Sequence, residues 1–147
     1  ISMPLPINIQ GFRYFNVYGQ HESHKGDQAS PINKFKTQAL VDESIMLFED
    51  SEKYLRDFIC VDDICKVHEQ MIDADVSGIF NVGTGTAVSF QSIGEAFAEK
   101  YGVPIKNIPM PGNLKGNYQE FTQANIEKLS QYVDIEWTKV EDYIDKL

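Results

Sequence analysis

Apolar and polar positions run in blocks along this chain, and each change of period predicts a change of element. Ile7, Ile9, Phe12, Tyr14, Phe15 and Val17 form a β-branched and aromatic run, which suits a buried strand. At Asn16 the run turns polar. Residues Gln20 to Lys25, bounded by Gly19 and Gly26, predict a loop whose glycines let the backbone turn. Ser30-Pro31 supplies an N-cap and a first-turn proline, and Ile32, Phe35 and Ala39 share one helical face, so a helix is expected from Pro31 to about Leu40.

Ser44 to Phe48 and Leu55 to Val61, separated by the polar Glu49-Asp50-Ser51-Glu52-Lys53, read as strand, turn, strand. Asp62 is then a natural N-cap for a helix with Ile64, Val67, His68, Met71 and Ile72 at helical spacing. His68 inside that stripe reads as packed rather than catalytic. Gly78 to Val82 predicts a strand, Gly83-Thr84-Gly85 a turn, and Ser89 the start of a helix that turns Phe90, Ile93, Phe97 and Tyr101 inward before Gly102 and Pro104 stop it. Ile105 to Ile108 is a short strand, followed by the stiff Pro109-Met110-Pro111-Gly112-Asn113. Two helices are expected to close the chain: one opened by Thr122 with Ile126, Leu129 and Val133, and one by the capping box Thr138-x-x-Glu141 with Val140, Ile144 and Leu147. Trp137 packs beside the start of the last. Strands alternating with helices predict an α/β class, and a first strand this close to residue 1 belongs to a sheet completed from elsewhere.

With 147 residues, 42% of them hydrophobic, the chain can bury one sizeable core in one domain. No apolar run approaches the ~20 residues that cross a bilayer, and the opening residues lack a signal-peptide pattern, so a soluble, unexported protein is expected. The net charge of −9, from 22 acidic against 13 basic residues, argues against sequence-independent nucleic-acid binding. An anion site must therefore be a local exception. Only two arginines can supply a bidentate fork, Arg13 and Arg56.

Cys60 and Cys65 fit neither C-x-x-C nor a zinc pattern and read as plain thiols. His21-Glu22-Ser23-His24 falls one residue short of H-E-x-x-H and lies in a loop, so no metal site is assigned. The Gly83-Thr84-Gly85 pair lacks the third glycine of G-x-G-x-x-G, which would fall at Val88. It reads as a strand-to-helix turn rather than a pyrophosphate cradle.

Arg13-Tyr14-Phe15-Asn16-Val17-Tyr18-Gly19 resembles the R-Y-F-N-V-Y-G segment of the extended short-chain dehydrogenase/reductase family, the nucleotide-sugar epimerases and dehydratases. Arg56-Asp57-Phe58-Ile59-Cys60-Val61-Asp62-Asp63 is similar to the family's R-D-F-I-Y-V-D-D block, with Cys60 in place of an aromatic. His24-Lys25-Gly26 and Lys115-Gly116-Asn117-Tyr118 are narrower, and resemble the heptose-6-epimerase branch. The likeness runs from about Ile9 to the end and covers the C-terminal half of such an enzyme.

That resemblance implies an α/β fold: the C-terminal part of an extended Rossmann-type protein, with strands of the parallel sheet plus a small helical substrate-binding lobe across residues 1–147. The dinucleotide-binding half, with its glycine turn and Y-x-x-x-K, is expected to lie outside these residues. It further implies a cytoplasmic isomerase that interconverts the two C6 epimers of ADP-heptose for the lipopolysaccharide core, through an NADP-dependent 6-keto intermediate and as an oligomer when full-length. NADP would be bound mainly by the other half, and the isolated chain would not turn over. Other UDP- or dTDP-hexose epimerases and dehydratases share the broader motifs, and a non-catalytic sugar-nucleotide module fits the missing Y-x-x-x-K.

By the same resemblance, Lys25 is the second acid/base group and faces the reacting carbon and the cofactor, Val17 lies against the cofactor, and Asn16 contacts the sugar nucleotide. An ammonium near a sugar hydroxyl and a cationic nicotinamide can exchange a proton near neutral pH. Phe48, Glu49, Asp50 and Ser51 match the family's F-E-G-S stretch around the nucleotide, with Asp50 replacing glycine. Arg56 can fork onto the diphosphate or onto Asp57, and Tyr118 closes over substrate. Lys34 stands where the family has His and is a cation able to attract phosphate, although Asp27, replacing Ser, weighs against that contact. One wall built from the Lys25 loop, Arg56 and Tyr118 is the expected anion site.

Overall fold

The structure is a computed structural model that describes residues 7–112, 114, 116 and 118–147. The first apolar run is not one strand but two, β1 (Gln10–Tyr14) and β2 (Asn16–Tyr18), because the partner changes at Phe15. β1 runs parallel to β5 (Gly78–Val82), pairing Phe12 with Phe80, whereas β2 runs parallel to β4 (Leu55–Cys60), pairing Asn16 with Phe58 and Val17 with Ile59. A third parallel pair joins β3 (Ile45–Phe48) to β7 (Ile105–Ile108). The two predicted strands around the 49–53 turn therefore form without pairing to each other. β4 also receives β6 (Ala87–Ser89), antiparallel, and the two-residue β8 (Phe121–Thr122), parallel.

Four α-helices pack on these strands: α1 (Pro31–Thr37), α2 (Val61–Met71), α3 (Phe90–Tyr101) and α4 (Val140–Asp145). α1 begins as expected, with Ser30 Oγ accepting from Asn33 N–H at 3.2 Å, but beyond Thr37 it widens into a π-turn at Gln38–Asp42. α3 matches its prediction at both ends. Ser89 Oγ accepts from Ser92 N–H at 3.0 Å, and Gly102 takes the left-handed φ of 65° that closes the helix.

Three predicted starts are corrected by tertiary contacts. α2 begins at Val61, one residue before Asp62; Asp63 in its first turn is fully buried and accepts from Thr138 N–H at 2.7 Å and Thr138 Oγ–H at 3.2 Å. Thr138 is thereby committed to Asp63 and does not cap the last helix, which starts at Val140 after an uncapped Lys139. The helix expected from Thr122 is absent. Thr122 is held in β8 by β4, and only a short 3-10 turn, Leu129–Gln131, follows. Ile72 also leaves its predicted stripe and is 80% exposed at the end of α2.

Two apolar clusters fill the molecule. The larger gathers Tyr18, Phe35, Leu47, Phe58, Ile93, Phe97 and Ile144 between α1, α3 and α4; the second gathers Ile59, Val67, Met71, Phe80, Val82 and Leu129 beneath α2, with Trp137 against it. His68 is satisfied rather than free: Tyr14 Oη lies 2.6 Å from its Nε2, and the Phe12 ring meets it edge-on. Side chains alternate across β1 and β5, so Phe12 and Phe80 face the second cluster while Ile9 and Ile79 stay exposed on the reverse face. A parallel sheet is ordinarily covered on both faces. β1 has no second strand partner among the described residues. Among the same residues no helix is long and apolar enough to cross a membrane.

The two faces should respond differently to truncation. Phe80→Ala is expected to cost about 3–5 kcal/mol of unfolding free energy, whereas Ile79→Thr on the bare face should stay within about 0.5 kcal/mol. Urea unfolding of both variants checks this, and equal shifts would contradict the one-sided burial.

Candidate functional site

The chain places its polar chemistry where strands end and loops turn back over them. β3 and the Ser51–Tyr54 segment that leads into β4 form one wall of a cavity of about 220 Å3, and α1 and the first residue of α3 form the other. Of the predicted site residues, Lys34, Phe48, Ser51 and Tyr118 line it, together with Phe35, Tyr54 and Phe90. Ile45 N–H and Glu49 N–H donate to Pro104 O and Ile108 O on the β7 side, each at 2.9 Å. Peptide groups alternate along a strand, so those of Met46 and Phe48 point to the opposite edge. Gln38 Oε1 takes the Met46 N–H at 2.9 Å, and the donor and acceptor of Phe48 lie on that same cavity side.

Arg56 stands behind Tyr118. Its guanidinium carbon is 5.1 Å from the Tyr118 ring centre and 5.8 Å from that of Phe90, and Tyr54 meets Tyr118 edge-on. The side chain is buried, and its nitrogens donate to the carbonyls of Leu55 (2.8 Å) and Gln119. Among the described residues no carboxylate lies within ion-pair distance of it. The expected partner Asp57 is not one, because consecutive strand residues face opposite ways. A buried guanidinium with only neutral acceptors retains its attraction for an anion.

Glu49 is exposed and outside the cavity lining. Asp50 has φ 61°, the left-handed region that explains a glycine at this place in the family, and it turns outward to Lys53 at 2.8 Å. Ser51 is buried, and its hydroxyl donates to Gln91 Oε1 at 2.6 Å. Lys34 Nζ donates to Asp27 O at 2.8 Å, so the backbone rather than the carboxylate of Asp27 engages it. Of the K-G-x-Y segment, Lys115 and Asn117 lie outside the described residues, as does Asn113 of the loop before it.

Lys25 does not join the wall made by Arg56 and Tyr118. It lies on a 3-10 turn, Ser23–Gln28, whose link to the cavity runs through Lys34, which also borders a shallow hollow against Ser23, Gly26 and Asp27. Asn16 and Val17, half-buried in β2, are likewise apart from the aromatic cavity. The loop is closed by Glu22, which the motif reading passed over. Its carboxylate is 4% exposed and accepts from Gly19 N–H (3.1 Å), Ser30 N–H (2.8 Å) and Ser30 Oγ–H (2.7 Å), with Lys25 Nζ at 3.5 Å. Burial opposes its ionisation. The hydrogen bonds from Ser30 and Gly19, with the Lys25 charge, outweigh that and hold the carboxyl below its ordinary range. Burial pushes the phenol of Tyr18 well up, so it stays a neutral donor to Thr138 O.

The glycine turn also has an occupant. Thr84 N–H, Thr84 Oγ–H, Gly85 N–H and Ala124 N–H all donate to the Asp57 carboxylate at 2.8 to 3.0 Å. A turn whose donors are spent on an internal carboxylate does not fit a dinucleotide pyrophosphate. Gln38, Tyr54 and Phe90 are cavity residues that sequence pattern did not single out as such, since each reads there only as helix, turn or core.

Glu22 sets a pH dependence of definite sign. Its folded value is lowered, so its stabilisation is present above the ordinary carboxylate value of 4.5 and is lost as pH falls through the folded one. Glu22→Gln is expected to be less stable than the unsubstituted chain at neutral pH, with the gap in melting temperature closing between about pH 5 and pH 2. A gap independent of pH would contradict an ionised Glu22.

Residues 6–83 match the NAD dependent epimerase/dehydratase family. The ADP-L-glycero-D-manno-heptose-6-epimerase of Helicobacter pylori is 30% identical and superposes with a TM-score of 0.80 over 93% of this chain and 42% of that one. UDP-N-acetylglucosamine 4-epimerase of Methanobrevibacter ruminantium (24%, TM-score 0.78, 95% and 44%) and UDP-glucose 4-epimerase of Thermotoga maritima (24%, TM-score 0.73, 92% and 43%) share the fold. The chain thus spans less than half the length of these relatives. Its parallel strand pairs and the match over residues 6–83, more than half of the chain, make it a member of the NAD dependent epimerase/dehydratase family.

Proposed function

We propose that this chain is the substrate-binding portion of a nucleotide-sugar epimerase, and that its sugar nucleotide is ADP-heptose. The observation that carries the reading is Arg56: a buried cation against the neighbouring rings of Tyr118 and Phe90, behind the Tyr118 wall of the cavity, with carbonyl partners and no counter-ion among the described residues. The diphosphate of a sugar nucleotide supplies the missing charge. The flanking cavity, with Phe35, Tyr54 and Phe90 on its walls and the Phe48 peptide on its edge, suits a flat heteroaromatic base that offers one donor and one acceptor.

The narrower substrate rests on His24-Lys25-Gly26, on Tyr118, and on likeness to the Helicobacter heptose epimerase. In this reading Asn16 touches the sugar and Lys25, steadied by Glu22, holds or releases a proton at the reacting carbon. The nicotinamide, NADP in this proposal, supplies reversible hydride removal and is held mainly by residues outside this chain, with Val17 against it. The intact enzyme would work in the cytoplasm. A UDP- or dTDP-hexose substrate is the main competitor, since adenine and uracil each offer an adjacent donor and acceptor to a single peptide.

Calorimetry with ADP-heptose, UDP-glucose and dTDP-glucose decides between them. ADP-heptose should bind most tightly, and a preference for uridine or thymidine would remove the heptose assignment. Arg56→Lys should weaken the preferred ligand by about 10- to 100-fold, the loss of a bidentate charge-assisted contact. Unchanged affinity would place the diphosphate elsewhere.

A further inference from the structure

Asp57 is fully buried, yet no cation neutralises it among the described residues. Its charge is met by oriented donors alone: Thr84 N–H and Oγ–H at one oxygen, Gly85 N–H and Ala124 N–H at the other. Successive backbone N–H groups of this kind form an anion-binding concavity, here filled from within the chain. Gly83 is required by proximity rather than by its φ. A Cβ there would lie 2.7 Å from the Asp57 Oδ2 atom and 2.6 Å from the Ala124 Cβ.

The Ala124 contact is the last of a series. Leu55 N–H donates to Glu120 O at 2.7 Å, Arg56 donates to Gln119 O, β8 pairs with Leu55 and Arg56, and Ala124 closes on Asp57. Residues 118–124 thus form a strap stitched along β4, with Tyr118 at the end that lies over the guanidinium.

We propose that Asp57 is a positioning residue: seated in the Gly83-Thr84-Gly85 turn, it anchors the strap that holds Tyr118 over Arg56. Facing the opposite side of β4 and seated in that turn, it offers no counter-ion to the neighbouring guanidinium, which stays open to an anionic ligand. The second half of this statement rests on the anion-site reading of Arg56; the first does not.

Thr84 gives a gentle test, because it is half-buried on a turn and lies outside the cavity lining. Thr84→Val removes one donor to Asp57, whereas Thr84→Ser keeps it. The Val variant should speed amide exchange across 118–124 while leaving β1 and β5 unchanged, and should weaken binding of ADP-glucose, used as the probe, by about tenfold. The Ser variant should restore both. Asp57→Asn, which turns an amide N–H2 or an uncharged oxygen toward the same donors, should exceed the Val effect, with urea unfolding recording any global loss. Exchange in the strap that is unchanged in both Val and Asn variants, or that rises equally throughout the chain, overturns the anchor. A loosened strap with undiminished ADP-glucose affinity overturns its role in binding. Failure of the unsubstituted chain to bind ADP-glucose or ADP-heptose would overturn the proposed function and the anion half of this proposal, while the exchange measurements would still decide the anchor.

Discussion

Strand β4 must bury two opposite charges in consecutive positions, and the structure depends on how it does so. Arg56 and Asp57 cannot neutralise each other, because a strand turns neighbouring side chains to opposite faces. Leaving either charge without polar partners would cost several kcal/mol. Asp57 is satisfied by four donors from two separate segments, and Arg56 by two carbonyls and two aromatic rings. The need to satisfy them pulls the 83–85 turn and residues 118–124 onto the strand. It also produces the polarity of the site: the carboxylate is enclosed by donors, and the guanidinium lies behind the Tyr118 wall of the cavity with no counter-ion among the described residues.

Buried carboxylates recur as clamps in this chain. Glu22 closes the neck of the Lys25 loop through Gly19 and Ser30, and Asp63 joins the start of α2 to Thr138 before α4. Each acts at a distance along the sequence of a few to many tens of residues. They hold irregular backbone over the ends of regular strands, where a ligand can be met by several loops together. Lys25 and Arg56 are both placed this way, by different clamps, which is why they stand on separate walls.

Among the described residues β1 pairs only with β5, and one face of that pair is exposed. Parallel sheets bury both faces, and Ile9 and Ile79 are apolar residues of that kind left uncovered here. The larger cluster, between α1, α3 and α4, is by contrast closed within these residues and carries the aromatic cavity on its flank. Packing beside the aromatic cavity is thus closed within the described residues, while one face of β1 and β5 stays exposed.

Much of this was legible in the residues themselves. Local signals placed α1 at Ser30-Pro31, α3 between Ser89 and Gly102, and the apolar strands, because capping, left-handed glycine and periodicity act over a few positions. Motif wording pointed to the family and to Arg56, Phe48 and Tyr118. The helix expected at Thr122 and the cap expected from Thr138 failed because partners far along the chain, β4 and the buried Asp63, hold those residues instead. Short-range preference determined which segments are helix or strand and what chemistry they carry. Only the tertiary structure decided which charge is enclosed by donors and which is left without a counter-ion among the described residues, since that depends on groups that sequence spacing does not bring together.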